Sequence, residues 1–167
     1  MIYIDRFSTW LASTPISFAI TDSHWIVPIS QIIHFFGLAL LFGMAGILDL
    51  RMLGLGKGIA IGEFSRRMVP WAGAGFLLNV ITGIIMFWGA PYMFAHNRAF
   101  GFKMLFIALA GLNVLLFYVT GIARKVEALG SGDDAPWSAK IVAGLSLIMW
   151  IGVMFWGRML PFLGNSF

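Results

Sequence analysis

Hydrophobic residues fill four long stretches of this chain, and none of these stretches alternates between apolar and polar residues. A helix needs about 20 mostly apolar residues to cross the hydrocarbon layer of a bilayer. The stretches 25–50, 68–94, 102–124 and 138–161 meet that requirement. A membrane-spanning barrel is excluded because it needs a two-residue period. The connections are short, so the pattern predicts an all-α integral membrane protein folded as an antiparallel four-helix bundle.

The residues before the first stretch follow a different pattern. Ile4, Phe7 and Leu11 recur at helical spacing, with Trp10 beside them. Pro15 interrupts the apolar run, which is not typical of a signal peptide. We therefore expect an N-terminal amphipathic segment that lies in the membrane interface. No repeat or second domain is visible, so residues 1–167 are interpreted as one transmembrane domain.

The composition indicates that much of this chain is surrounded by lipid and not by water. Hydrophobic residues make up 60% of the sequence and charged residues 11%, whereas soluble domains carry about 25% charged residues. A core of this size cannot bury so much apolar surface, so the lipid bilayer is the expected partner. The net charge of +4 does not indicate nucleic-acid binding, because the eleven basic residues are scattered. The absence of cysteine excludes thiolate metal sites and iron–sulfur clusters.

The basic residues predict an orientation. Most of them lie in or beside the connections after the first and third spans: Arg51, Lys57, Arg66, Arg67, Arg124, Lys125 and Lys140. Connections rich in Lys and Arg stay on the cytoplasmic side. The expected location is the inner (cytoplasmic) membrane of a bacterium, with several spans and both termini in the periplasm.

The histidines and the remaining cations gather on the predicted outer side. His34 lies inside the first span, about 10 Å below its outer end. A neutral imidazole beneath cations suits haem b, because the ring binds iron and the cations pair with the propionates. The predicted haem-binding set places His34 as axial ligand and His96 as the second metal ligand, with Arg98, Lys103 and Arg158 at the propionates. Gly37, one turn from His34, is expected to leave room for the macrocycle.

Other interpretations of these residues remain open. An intramembrane histidine also serves in hydrogen bonds between helices or in a proton path. Asn79, Thr82 and Asn113 are expected in the bundle interior, where they bond across helices or contact a quinone. Asp49 and Arg51 close the first span, and a local ion pair or a pair of side chains that snorkel to the interface is the simplest interpretation.

Several motifs resemble an uncharacterised family of four-helix bacterial inner-membrane proteins, a domain of unknown function. The resemblance covers nearly the whole chain and is carried by His34 to Gly37, Asp49 to Gly54, Pro70-Trp71, Thr82-Gly83, Phe100 to Lys103, Asn113 and Gly157-Arg158. A weaker resemblance links the chain to copper-resistance D-type membrane proteins and to haem-binding membrane protoporphyrinogen oxidases. The positions matching that second group are His34, Gly37, Gly43, Arg51 and Lys103. The chain lacks the second His-Arg arrangement of the oxidases.

The leading functional hypothesis is a small haem b membrane protein that passes electrons between a quinone and a partner on the outer side. If it is an enzyme, it is a membrane oxidoreductase. The main alternative is a non-catalytic subunit of a larger membrane complex, or a homo-oligomer, because the longest loops are too short to house a separate site. A transporter or proton-conducting protein using His34, Asn79 and Asn113 is a third hypothesis.

Overall fold

The computed structural model describes residues 2–58 and 60–163, and every element in that part of the chain is a helix. Four long helices dominate it: α3 (Ile26–Met52), α4 (Ile61–Gly89), α6 (Arg98–Val119) and α8 (Trp137–Leu163). Four short ones accompany them: α1 (Ile2–Ala12), α2 (Pro15–Asp22), α5 (Pro91–Ala95) and α7 (Ile122–Glu127). The predicted all-α four-helix bundle is confirmed.

Each long helix is long and apolar enough to cross a membrane. At about 1.5 Å per residue, 27 residues reach roughly 40 Å, which exceeds the hydrocarbon thickness. At most 28% of the most apolar window of any span is buried within the chain. The other side chains are partly buried or exposed, and lipid is the solvent that can accept the exposed apolar ones. The chain is therefore a multi-pass membrane protein.

The second span differs most from its predicted limits of 68–94. Its helix begins earlier, at Ile61, because the polar first turns are helical too and an ion pair joins Glu63 and Arg67 four residues apart. It ends earlier, at Gly89, because Pro91 cannot continue the helix and instead opens α5. Apolar residues beyond Pro91 therefore belong to a separate short helix.

Packing joins the long helices as two hairpins. α3 packs most extensively on α4, α6 packs on α8, and a smaller contact between α3 and α8 joins the hairpins. In the described part of the chain, α4 and α6 do not pack against each other as neighbours. A buried cluster at mid-depth holds the hairpins together and is formed by Leu41, Ala110, Trp150 and Val153.

The two ends of the bundle have different chemistry. We call the end with Ile26, Gly89, Arg98 and Leu163 the histidine side, and the end with Met52, Ile61, Val119 and Trp137 the arginine side. On the arginine side the two hairpin connections are bonded to each other. The Gly132 amide donates to the Lys57 carbonyl, the Ser131 hydroxyl to the Gly58 carbonyl, and Arg51 to the carbonyls of Lys57 and Asp133.

The N-terminal segment is a pair of short helices attached to the histidine side. Ser17 donates to the Trp88 carbonyl, and the Trp88 indole donates to Thr14. Large apolar side chains of this segment point outward; Tyr3 is 86% exposed and Trp10 60%. Such an arrangement is typical of helices that lie in a membrane interface.

Candidate histidine site

Polar residues from three helices converge at one depth on the histidine side. His34 of α3, Thr82 of α4 and Lys103 of α6 lie five to eight residues from the ends of their helices, which corresponds to about 8–12 Å along each axis. Nδ1 of His34 lies 2.8 Å from Oγ1 of Thr82. This hydrogen bond joins helices through residues 48 positions apart in the chain.

The Thr82 hydroxyl determines the tautomer of His34. Its single proton is directed to the carbonyl of Leu78 at 2.6 Å, with the carbonyl of Asn79 at 3.4 Å as the only second acceptor. Oγ1 must therefore accept from the imidazole, so Nδ1 of His34 carries the proton. A neutral His34 then has its lone pair on Nε2. None of the described residues makes a hydrogen bond to Nε2.

Lys103 of α6 is a partly buried cation on the histidine side. It interacts electrostatically with His34, and its side chain runs along Gly157 of α8. A Cβ built on Gly157 would lie 3.8 Å from Cδ of Lys103 and 4.0 Å from Nζ. Lys103 forms no ion pair with any residue in the described ranges. A partly buried ammonium without a counter-ion is suited to accept an anionic group of a ligand.

Two glycines of the α3–α4 contact near His34 differ in how tightly they are packed. A Cβ built on Gly83 would lie 3.8 Å from Cε1 of His34, which is ordinary van der Waals contact. Gly37, by contrast, is packed against α4: its Cβ would lie 2.8 Å from Nδ2 of Asn79 and 3.0 Å from the Gly75 carbonyl. The expectation that Gly37 leaves room for a macrocycle is therefore not met, because α4 fills that space.

His96 is held away from the three-helix site by other partners. Its Nε2 lies 2.8 Å from Oδ1 of Asp5, and its Nδ1 lies 3.2 Å from the carbonyl of Tyr92. Thr9 also contacts the Tyr92 hydroxyl. His96, the residue expected to supply a second iron ligand, thus attaches the end of α5 to α1 instead. His24 is exposed at the connection before α3.

The other two predicted propionate partners lie at different depths: Arg98 opens α6, and Arg158 is five residues before the end of α8. Arg98 is exposed at the first residue of α6. Arg158 is exposed next to Gly157, and its guanidinium lies over the ring of Phe162 at 5.5 Å. Arg158 is thus the neighbour of Gly157, along which the Lys103 side chain runs. Arg98, at the first residue of α6, is nearer to the water.

The two predicted interior amides have structural partners. Asn113 is buried and donates to the Val142 carbonyl at 3.0 Å, so it links α6 to α8. Asn79 donates to the Gly75 carbonyl at 2.8 Å, one turn earlier on its own helix. Its Oδ1 is buried and makes no hydrogen bond to a described residue. Asn113 thus forms a hydrogen bond between two helices. The Oδ1 atom of Asn79, in the α3–α4 contact, is an acceptor without a partner among the described residues.

The donor set decides which kind of cofactor this site can hold. Within the described residues, no group of three or more His, Cys, Asp or Glu side chains could hold a metal ion. Zinc and copper need several protein ligands, whereas a haem supplies four nitrogens of its own and needs only one imidazole. A single oriented imidazole is the protein ligand that a haem requires.

Searches of protein-family models, curated proteins and solved structures gave no match to this chain. Functional inference therefore rests on the residues themselves. Sequence reasoning overlooked one pair of buried polar residues that interact, Asp49 of α3 and Ser146 of α8. Asp49 forms no ion pair with a described residue, and Arg51 bonds to loop carbonyls, so the expected Asp49–Arg51 pair is wrong. A serine within an apolar helix was the available signal.

Proposed function

We propose that this protein binds haem b at His34 and passes electrons between a membrane quinone and a partner on the histidine side. The observation that carries the proposal is the hydrogen bond from His34 to Thr82. A histidine that binds a metal through one ring nitrogen usually donates the N–H of the other to an oxygen. This hydrogen bond fixes the tautomer and the orientation of the ring. His34 has this arrangement, with the lone pair of Nε2 available.

The surrounding residues have separate roles in this proposal. His34 is the axial ligand, and Thr82 is a positioning residue that holds its proton on Nδ1. Lys103 neutralises a propionate and is assisted by Arg158, while Gly83 allows the imidazole to pack against α4. A bound haem supplies reversible one-electron chemistry at its iron. Because His96 is engaged with Asp5, a second axial ligand is not part of the proposal.

An optical spectrum tests the proposal directly. The protein is expressed with added haem precursor, purified in mild detergent, and measured before and after reduction. We expect an intense haem absorption band that changes on reduction and is lost in His34→Ala. His24→Ala and His96→Ala are matched controls that keep the band. If the wild-type protein folds and shows no haem absorption, the proposal is wrong.

The proposal includes an orientation in the membrane. The arginine-side connections and helix ends carry Arg51, Lys57, Arg66, Arg67, Arg124, Lys125 and Lys140, whereas four basic residues belong to the histidine side. That asymmetry favours a cytoplasmic arginine side and periplasmic termini in a bacterial inner membrane. Alkaline phosphatase fused after Leu163 is expected to be active, and the same reporter fused after Gly58 inactive. The reverse pattern would place the histidine side in the cytoplasm.

A role within a larger assembly is the second candidate. Gly101 and Gly111 of α6 are exposed, and a Cβ on either would meet nothing within 4 Å. Small residues on an outward helix face allow a neighbouring helix to approach closely. Mild-detergent size analysis with light scattering separates the possibilities. A single copy that carries haem supports independent function, and constant association with a different chain supports the accessory role.

A further inference from the structure

Side-chain contacts on the histidine side join the first helix of the chain, α1, to the short helix α5. Nε2 of His96, directly after α5, lies 2.8 Å from Oδ1 of Asp5 in α1. The hydroxyls of Thr9 and Tyr92 are also in contact. Because α5 belongs to the connection between α4 and α6, α1 lies against the segment that joins these two spans.

The two N-terminal helices are attached to the rest of the chain in different ways. α2 is anchored to α4, because Ser17 donates to the Trp88 carbonyl and the Trp88 indole donates to Thr14, which caps α2. Helical structure is interrupted at Ser13 and Thr14, between α1 and α2. α1 is therefore an arm with a break at its base, and the contact with His96 lies in its first turns.

The contact between His96 and Asp5 needs one proton between the two side chains. Nδ1 of His96 lies 3.2 Å from the Tyr92 carbonyl, which can only accept, so Nδ1 carries a proton of its own. Nε2 faces a carboxyl oxygen, and these two atoms form a hydrogen bond only when a proton lies between them. Loss of this proton leaves a ring lone pair facing a carboxylate. Addition of a second proton neutralises the carboxylate and removes the charge assistance of the bond.

Other charged groups near this contact do not replace it. The helices that pack on α1 and α5 are α2, α4 and α6. Their charged residues on the histidine side are Asp22, Arg98 and Lys103, and α1 itself carries Arg6. The charged residues of α4 lie at its other end, near Ile61. Among the described residues, no second ion pair is formed by His96 or Asp5.

We propose that α1 is a pH-sensitive strap, which the proton between Asp5 and His96 holds against α5. In alkaline solution the proton is lost and α1 turns away at Ser13, while α2 stays anchored to α4. A buried hydroxyl without a hydrogen-bond partner opposes closure. Ser8 of α1 has such a hydroxyl among the described residues, so closure depends on the contacts with α5. This proposal does not rest on haem binding.

Distances between two spin labels in the full-length protein, reconstituted in lipid, test the strap. The chain has no cysteine, so Tyr3→Cys in α1 with Leu105→Cys in α6 gives two labels at exposed positions. From pH 4 to pH 9, the closed fraction should pass through a maximum and fall on the alkaline side. The pair is partly exposed, at 34% for His96 and 51% for Asp5. The ratio of open to closed protein should therefore rise about two- to fivefold, as the energies of screened ion pairs imply.

Matched variants separate the strap from general loosening. His96→Gln and Asp5→Asn, in the labelled protein, should abolish the alkaline opening, whereas His24→Gln and Asp22→Asn, at exposed positions outside the contact, should retain it. Labels at Phe18→Cys in α2 and Leu105→Cys should keep one distance throughout, because α2 is anchored. The proposal is overturned if the α1 distance does not change with pH, if His96→Gln keeps the wild-type response, or if α2 moves as α1 does.

Discussion

Gly75 of α4 approaches the backbone of α3 so closely that no side chain fits between them. A Cβ built on Gly75 would lie 2.7 Å from the carbonyl oxygen of Gly37 and 2.7 Å from the amide nitrogen of Leu41. The obstructing atoms belong to the main chain and cannot rotate away. This contact sets the separation of α3 and α4 one turn from Asn79 and two turns from Thr82, and so it determines how near Thr82 comes to His34.

Gly75→Ala should therefore destabilise the bundle strongly. Forcing a methyl group into a filled contact costs about 1–3 kcal/mol or more. Gly73→Ala is the control, because a Cβ there meets nothing within 4 Å and alanine favours the helix. Thermal unfolding in detergent should give a clearly lower Tm for Gly75→Ala and an equal or higher Tm for Gly73→Ala. Equal Tm values for the two variants would mean that the helices separate freely at Gly75.

Thr82→Val should weaken haem binding without abolishing it. Valine keeps the shape of threonine but removes the oxygen that accepts from Nδ1 of His34. Loss of such an outer partner typically lowers affinity for the metal group by about 10–100-fold. Thr120→Val is a matched control, since Thr120 donates to the carbonyl four residues earlier in the same way but is exposed just after α6. Haem titrations followed by absorbance compare the two, and an unchanged affinity in Thr82→Val would remove its positioning role.

Lys103→Met should have opposite effects on the empty and the loaded protein. Methionine retains the apolar stem and removes a partly buried charge for which the described residues offer no counter-ion. The haem-free variant should have a raised Tm, because an unpaired charge is costly to bury. The same variant should bind haem less tightly, because a propionate partner is lost. Lys125→Met, at an exposed position of α7, should change neither quantity. A parallel fall in Tm and affinity would indicate a structural role only.

Acid should loosen the arginine-side connections through Asp134. The hydrogen bond from Lys140, supported by Lys57, lowers the pKa of Asp134 below its usual value. A lowered folded-state pKa contributes stability above the unfolded value of about 3.9, and that contribution is lost as the pH falls through the folded pKa. The effect should be small because the carboxyl is exposed.

Amide hydrogen exchange in the connection 130–136 measures this effect. Between pH 5 and pH 2, after correction for intrinsic exchange rates, opening should increase more in the wild type than in Asp134→Asn. The Asp134→Asn protein has already lost the titrating group. Asp22→Asn, far from this connection, should follow the wild type. Identical pH dependence in wild type and Asp134→Asn would show that the ion pairs do not stabilise the connection.

The number and type of long helices were predictable because lipid imposes a simple rule on composition. In lipid, a stretch of about twenty apolar residues must satisfy its backbone hydrogen bonds within itself, and the α-helix is the structure that does so. The start of α4 was not predictable from hydropathy, since Glu63 and Arg67 stabilise a polar helical turn by their own ion pair. The end of α4 at Gly89 could have been predicted from Pro91, but the apolar residues continue past this proline and suggested a longer helix.

The site was only partly predictable because its contacts are between distant residues. The polar character of Thr82 and its interior position follow from the sequence, but its pairing with His34 depends on the rotation and separation of α3 and α4. The partner of His96 is Asp5, 91 residues away on a short helix, and no local pattern indicates it. Gly37 illustrates the same limit, because a glycine next to a ligand and a glycine next to a helix look identical in sequence.

The bonded connections of the arginine side have a consequence for how molecules enter the bundle. Lys57, Gly58, Ser131 and Gly132 tie the two hairpins together at that end, while the smaller α3–α8 contact joins them along their length. The histidine side is closed by the chain as well, because α5 lies in the short connection from α4 to α6. Between these two ends the described parts of α4 and α6 do not pack on each other. A lipophilic molecule from the bilayer would therefore enter sideways between α4 and α6, without passing through water.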